Sequence, residues 1–221
     1  IAKYLLGGKS IVNLSPSMVY GFWHSDEAAH SNDLQFIFTP ASYKQGVHGL
    51  LDDHPGFTVA AWQHRPQSKG WVRARTADPF ENPIIQPNYL ADEGDRKILI
   101  GAMKLARRLM YTEPMKPFID FETYPGDHVQ SDDELLEAAR EVGSTTFHVM
   151  GTCRMGPETD ATAVVDDHLR VRGMEGLRVI DASVMPAMIS ANLNAATMMI
   201  GEKGADMVLD APALEPIIVA E

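Results

Sequence analysis

Three stretches of the 221-residue chain carry side chains suited to chemistry. The first is Phe147-His148-Val149-Met150-Gly151-Thr152-Cys153-Arg154-Met155-Gly156, where a histidine precedes two glycines in a run without helical or strand-like periodicity. Irregular backbone can aim an imidazole at a reaction centre, and the ordinary imidazole pKa suits such a group to take or give a proton. The plainer reading, open for each of the eight histidines, is a partly buried side chain that only packs. The second stretch is Asn192-Leu193-Asn194, at the start of a largely apolar helical run. Unpaired N–H groups and the helix dipole favour negative charge there. An asparagine just before the helix can donate to an anionic oxygen without titrating. Ordinary N-capping is the competing reading. The third is Asp181-Ala182-Ser183, a loop placed where ligands sit in open α/β sheets.

The elements that must position these groups are readable in outline. Residues 1–32 are mixed in character and suggest a segment that packs on something else. Asp33 to Pro40 reads as a strand ended by proline, followed by a Gly-rich loop through Val47-His48-Gly49. Phe57–Gln63 and Gly70–Thr76 are strand-like, and Trp71-Val72-Arg73-Ala74-Arg75 alternates as a half-buried antiparallel strand should. Pro83-Ile84-Ile85 is a short extended piece closed by Pro87-Asn88-Tyr89. Residues 92–110 predict a helix with Ile98, Ala102, Leu105 and Leu109 on one face, stopped by Pro114 and Pro117. Ser131 with Glu134 predicts a capping box, Leu135, Ala139 and Val142 a buried stripe, and Gly143 the helix end. Strands followed by helices over 33–143 imply an antiparallel sheet with helices on one side. Leu177-Arg178-Val179-Ile180 then reads as a buried parallel strand, and a helix follows Asn194 to about Leu209. Gly201 and Gly204 would let that helix pack closely, and the tail beyond Asp210 reads as frayed.

Composition narrows the classes. Hydrophobic residues make up 45% and charged residues 22%, the balance of a soluble globular protein. A formal charge of −11 argues against a nucleic-acid partner, since little would neutralise phosphates. One cysteine, Cys153, rules out an internal disulfide and any multi-thiolate metal site. No run of 18 apolar residues is present, so no transmembrane segment is expected. The chain opens Ile1-Ala2-Lys3-Tyr4 without a methionine or a signal segment, so it reads like the middle of a longer polypeptide. Targeting cannot be read, and a soluble, cytoplasmic chain is the default expectation.

His148 to Gly156 resembles the His-x-x-Gly-Thr-Cys-Arg-Met-Gly segment of the glucose–methanol–choline (GMC) oxidoreductases. The likeness continues through Val164-Val165-Asp166 and Leu169–Gly173, then Gly176–Ser183 with Pro186, Asn192–Thr197 and Glu202-Lys203. Upstream, Arg65-Pro66 with Ser68, Gly70-Trp71-Val72 and Asp78-Pro79 look like substrate-domain strands of that family. It implies an α+β fold: an antiparallel sheet with packed helices, plus a C-terminal strand–loop–helix contribution to an α/β FAD-binding domain. The family's Gly-x-Gly-x-x-Gly turn does not occur, so the N-terminal half of that domain is read as absent and as the missing partner. Residues 1–146 would be the substrate-domain portion, 147–210 the active-site segment and return to the FAD domain, and 211–221 a tail.

By this resemblance the chain belongs to an FAD-dependent alcohol oxidase or dehydrogenase. His148 would be the base that takes the hydroxyl proton of a primary alcohol, and Asn192 would hold the alkoxide oxygen. Leu193 and Asn194 would face the flavin through their backbone, Asp181 and Ala182 would sit near its phosphates, and Phe147 would wall the alcohol pocket. No metal is implied. The alternatives are a hydroxynitrile lyase on the same scaffold, and an inactive fragment or subunit that needs a partner chain carrying the FAD-binding half.

Overall fold

Leu34-Gln35-Phe36-Ile37-Phe38-Thr39 is apolar at four of its six positions and rich in aromatic and β-branched side chains, and it forms the central strand β2 (Leu34–Thr39). The structure is a computed structural model and describes residues 5–8, 15, 17, 19–26, 31–44, 50–212 and 215. These fall into two units, one of residues 1–69 with 88–146 and one of residues 70–87 with 147–221. The expected loop through Val47-His48-Gly49 and most of the tail lie outside the described residues.

In the first unit β2 pairs antiparallel with β1 (Val19–Trp23) on one side and with β3 (Thr58–Gln63) on the other. Facing pairs Leu34–Gln63, Phe36–Ala61 and Phe38–Val59 put one set of side chains on a common face. Helix α1 (Glu93–Met110) lays Ile98, Ala102, Leu105 and Ala106 against Leu34 and Phe36, which makes this unit's core. Antiparallel strands with one helix packed on them are therefore observed. Strand β1 was not legible, because Val19-Tyr20-Gly21-Phe22-Trp23 has no alternation and carries an internal glycine. Its side chains are mostly exposed, as those of an edge strand can be.

Asp92 caps α1, accepting from the Gly94 and Asp95 N–H groups at 2.8 and 3.3 Å. Asp95, in the first turn, is only 2% exposed. Its carboxylate accepts from Gln63 Nε2 at 2.8 Å, the Gln67 N–H at 2.9 Å, the Ser68 N–H at 2.8 Å and the Ser68 hydroxyl. One buried group thus ties the end of β3 and the turn after it to the helix. His64 is buried at 5% exposure against the Phe22 ring, the packing role left open for each histidine. Burial, aided by the neighbouring Arg65 charge, pushes its pKa below the ordinary imidazole value.

Helix α2 (Asp132–Val142) starts at the expected capping box: Ser131 Oγ accepts from the Glu134 N–H while Glu134 accepts from the Ser131 N–H at 2.9 Å. The Ser131 and Gln130 N–H groups hold the Glu134 carboxyl at about 2. Since that value lies below the unfolded one, the box supports folding above the ordinary Glu range and loses its effect as pH falls towards 2. Replacing Ser131 with alanine is expected to cost about 1 kcal/mol in urea unfolding at neutral pH. The buried stripe is Leu135 and Ala138, with Ala139 and Val142 only half-buried, so the inward face lies slightly round from the expected one.

In the second unit β4 (Trp71–Arg73) pairs with β5 (Ile84–Gln86) as an isolated antiparallel ribbon. The strand expected over 70–76 shrinks to three residues and is exposed rather than half-buried. No third strand among the described residues covers it, and Arg73 instead lies over the Trp71 ring at 4.6 Å. The parallel strand expected at Leu177–Ile180 is also not formed. Arg178 makes only an isolated antiparallel bridge with Arg170, because no described neighbour offers a parallel edge to complete. The core here is Val165, Leu169, Val184, Met185, Leu193 and Ile200, with Val179 and Ile180 packed on it.

Helix α3 (Asn194–Val208) carries the two glycines noted in the sequence, and they differ. A β-carbon at Gly204 would collide with Ile180 Cγ2 and stand 3.0 Å from its Cδ1, whereas Gly201 faces open space. Gly204→Val is therefore expected to destabilise by about 2 kcal/mol through overpacking. Gly201→Ala is expected to stabilise by about 0.5–1 kcal/mol through helix propensity. Thermal unfolding of both variants checks the opposite signs. No helix among the described residues is long and apolar enough to cross a membrane.

Candidate active site

The segment after Thr146 follows neither helix nor sheet, and its position is set by backbone bonds to one neighbouring strip. The N–H groups of Gly151, Cys153 and Met155 donate to the carbonyls of Ala182, Ser183 and Val184 at 3.4, 2.9 and 2.8 Å. That strip is itself a short 3-10 turn, Ala182–Val184, opened by Asp181, whose carboxylate accepts from the Ser183 N–H at 2.8 Å. Val184 and Met185 are buried in the unit's core, so the segment rests on a packed floor.

His148 lies between two residues of left-handed backbone, Phe147 at φ +60° and Gly151 at φ +81°. Glycine takes that conformation freely, but phenylalanine adopts it at a cost of about 1–2 kcal/mol. An outlier of this kind beside a candidate base is what a functional constraint on the backbone produces. The Phe147 side chain is 73% exposed and Val149 is 70% exposed, while His148 between them is half-buried.

From the other direction comes the start of α3. Leu193 is 4% exposed within the core, and its carbonyl accepts from both the N–H and the hydroxyl of Thr197 at 2.8 and 2.9 Å. This anchor fixes the residues on either side of it. Asn192, just before, brings Nδ2 to 2.8 Å from His148 Nε2, so two side chains 44 residues apart meet directly. Asn194, just after, points Nδ2 at Met198 Sδ, 3.8 Å away. The N-cap position of α3 falls between the two asparagines, on Leu193, rather than on either of them. The N-cap is Leu193 without a side-chain bond, and the first turn holds no acidic residue. Helices α1 and α2 each have both a capping side chain and acidic first-turn residues. The first N–H groups of α3 thus keep their partial positive charge without an acidic side chain in the first turn to offset it.

Of the residues singled out in the sequence, His148 and Asn192 are joined by a hydrogen bond, Phe147 adjoins the first, and Leu193 and Asn194 adjoin the second. Asp181 and Ala182 lie in the strip beside the histidine segment, with the Ala182 carbonyl engaged by Gly151. Met198, exposed one turn along α3, was missed, and its i,i+4 spacing from Asn194 is the signal that would have found it. The backbone partners at 182–184 leave no signature in side-chain type. Chemically, an imidazole and a non-titrating amide that meet at 2.8 Å can, once parted, take a proton from and hold a single oxygen.

Comparison with known proteins bears on the same segment. The family model described as GMC oxidoreductase matches residues 66–201. The chain is 42% identical over 195 residues to the mitochondrial choline dehydrogenase of Homo sapiens, covering 88% of this chain and 32% of that protein. It is 38% identical over 213 residues to an oxygen-dependent choline dehydrogenase of Escherichia coli, covering 96% of this chain and 38% of that protein. It therefore spans about a third of the length of these curated relatives. Among solved structures, pyridoxine 4-oxidase from Mesorbium loti superposes with a TM-score of 0.77 at 27% identity, over 89% of this chain and 38% of that one. Formate oxidase of Aspergillus oryzae, studied for its FAD modification, gives 0.73 at 28% identity, over 95% and 34%. The matched region takes in the histidine segment, its supporting strip and the start of α3, and by that match the chain belongs to the GMC oxidoreductase family.

Proposed function

We propose that this chain supplies the catalytic segment of an FAD-dependent oxidoreductase that converts a primary alcohol to an aldehyde. The observation that carries the reading is the 2.8 Å approach of Asn192 Nδ2 to His148 Nε2. In it, His148 takes the hydroxyl proton and Asn192 donates to the oxygen as negative charge develops there. FAD, when bound, would supply the acceptor for the hydride that leaves the carbon. The residues fit such a group on one independent point. Reduction places negative charge on the flavin's pyrimidine edge, and α3 begins at Leu193, whose side chain caps nothing, with no acid in its first turn. The backbone at Leu193 and Asn194 would meet that edge, Asp181 and Ala182 would stand towards the phosphates, and Phe147 would wall the alcohol pocket.

In the same reading, residues 1–146 belong chiefly to the substrate domain and 147–210 to the return into the FAD domain. The ribbon at 70–87 departs from that division, since it groups with 147–221. The FAD-binding half, joined to this chain or on a partner, would complete the site. Support comes from the share of the relatives that this chain matches and from the exposed Phe147 and Val149 on either side of His148 and the exposed Met198 and Met199 on α3. Choline is the alcohol that the curated relatives' names carry, so a small alcohol of that kind is the first substrate to try. The relatives and structures named above are oxidases and dehydrogenases, which supports oxidation over the lyase alternative. The test is anaerobic: with the FAD-binding region supplied, choline or another primary alcohol should bleach the flavin. Failure of every alcohol tried would overturn oxidation.

A further inference from the structure

The hydrogen bond between the two site residues has a direction. Asn192 meets His148 with Nδ2, and an amide nitrogen has protons to give and no capacity to accept. His148 Nε2 is then the accepting atom, and the proton of the neutral ring sits on Nδ1. Both partners are set by packing as well: the buried Leu193 holds the chain at Asn192, and the 151–155 backbone ladder holds the segment of His148.

We infer that the resting site is closed on itself: the Asn192 amide occupies the lone pair of the base, and a substrate reaches that lone pair only by displacing the amide. This rests on the reading of His148 as the base. It also makes Asn192 a selecting residue as well as a holding one. Opening the pair exposes one acceptor, Nε2, and one donor, Nδ2–H. A hydroxyl satisfies both at a single atom, giving its proton towards Nε2 and accepting from the amide. An ether or ketone oxygen leaves Nε2 bare, and an ammonium leaves the amide unpaired, so neither replaces what the closed pair loses. When the substrate O–H bond breaks, the proton forms a new N–H bond at Nε2. That nitrogen then no longer accepts from the amide, and the pair closes again only after the proton leaves or the amide turns its oxygen inward.

The experiment is ¹⁵N NMR of the histidine rings in the full 221-residue chain, at a pH well above the ordinary imidazole range. The expected result is the Nδ1–H tautomer at His148 in the parent chain. Asn192→Asp, which offers only acceptors, should switch it to the Nε2–H tautomer. Asn192→Leu, of similar size but without the donor, should raise the rate at which diethylpyrocarbonate modifies His148 several-fold, with exposed His168 as the internal standard. An Nε2–H tautomer in the parent chain, or His148 reactivity unchanged in Asn192→Leu, overturns the closed pair. The tautomer of the parent needs no variant, so a misfolded substitution does not spare the idea. Neither readout involves flavin: a site that proves closed but never bleaches flavin sinks the oxidation reading alone, and an open site that bleaches it sinks only this inference.

Discussion

Replacing His148 with alanine is expected to lower the rate of flavin reduction by alcohol by about 10²–10⁴-fold, the usual contribution of a positioned general base. The chain is to be assayed with the FAD-binding region supplied, by anaerobic stopped-flow at saturating alcohol, so that binding and chemistry separate. If the imidazole acts as base, the loss falls on the maximal rate. Flavin content should stay normal, because the ring contributes no bond to the core or to the strip at 182–184. Asn192→Ala should also slow the reaction, by less, because it removes a donor and leaves the proton acceptor in place. A near-normal maximal rate in His148→Ala would remove the residue from that role whatever its geometry.

Asp95→Ala is expected to destabilise the first unit by about 2–4 kcal/mol. The carboxylate is 2% exposed and serves four donors, from Gln63, Gln67 and twice from Ser68. Removing it leaves several of those donors facing a hole, the costly side of hydrogen bonding in a dry place. Asp95→Asn should recover less than half of the loss, since one accepting oxygen becomes a donor aimed at Ser68, itself a donor. Burial pushes the Asp95 carboxyl up, yet the bonds from Ser68, Gln67 and Gln63 together outweigh it and hold its pKa below the ordinary value. The sign follows: stability from this group is full above the unfolded Asp range and is lost as pH falls through the lower folded value. Urea midpoints at neutral pH and near pH 3, expected to show a smaller gap between parent and alanine variant in acid, check both the size and the sign. A loss below about 1 kcal/mol at neutral pH would show that water or a rearranged turn satisfies those donors.

Local patterns carried much of the fold. The capping box at Ser131, the helix over 92–110 and the strand ended by Pro40 each depend on neighbours within a few positions, and each appears where those neighbours placed it. The run Leu177–Ile180 shows the opposite case. Its β-branched character suits a buried strand, yet strand formation is a property of a pair, and no described segment offers the parallel edge. Strand β1 was hidden for a related reason: an edge strand with both faces partly open has no alternation to read. Asp95 was hidden because an acid in the first turn of a helix looks like a dipole partner until its side chain is seen to be buried.

For the site, the amino-acid sequence by itself determined which groups are available: one imidazole in an irregular Gly-bearing segment, and one carboxamide at the start of an apolar helix. It also marked the family, through residue types at short spacing. Only the tertiary structure decided that these two groups touch, which nitrogen of the ring the amide occupies, and that α3 takes Leu193 as its N-cap. The physical reason is range. Caps, turns and periodicity are settled by interactions over three or four residues, whereas a contact across 44 positions is settled by the core beneath it. Val184, Met185 and Leu193 pack there and bring the two segments onto one floor.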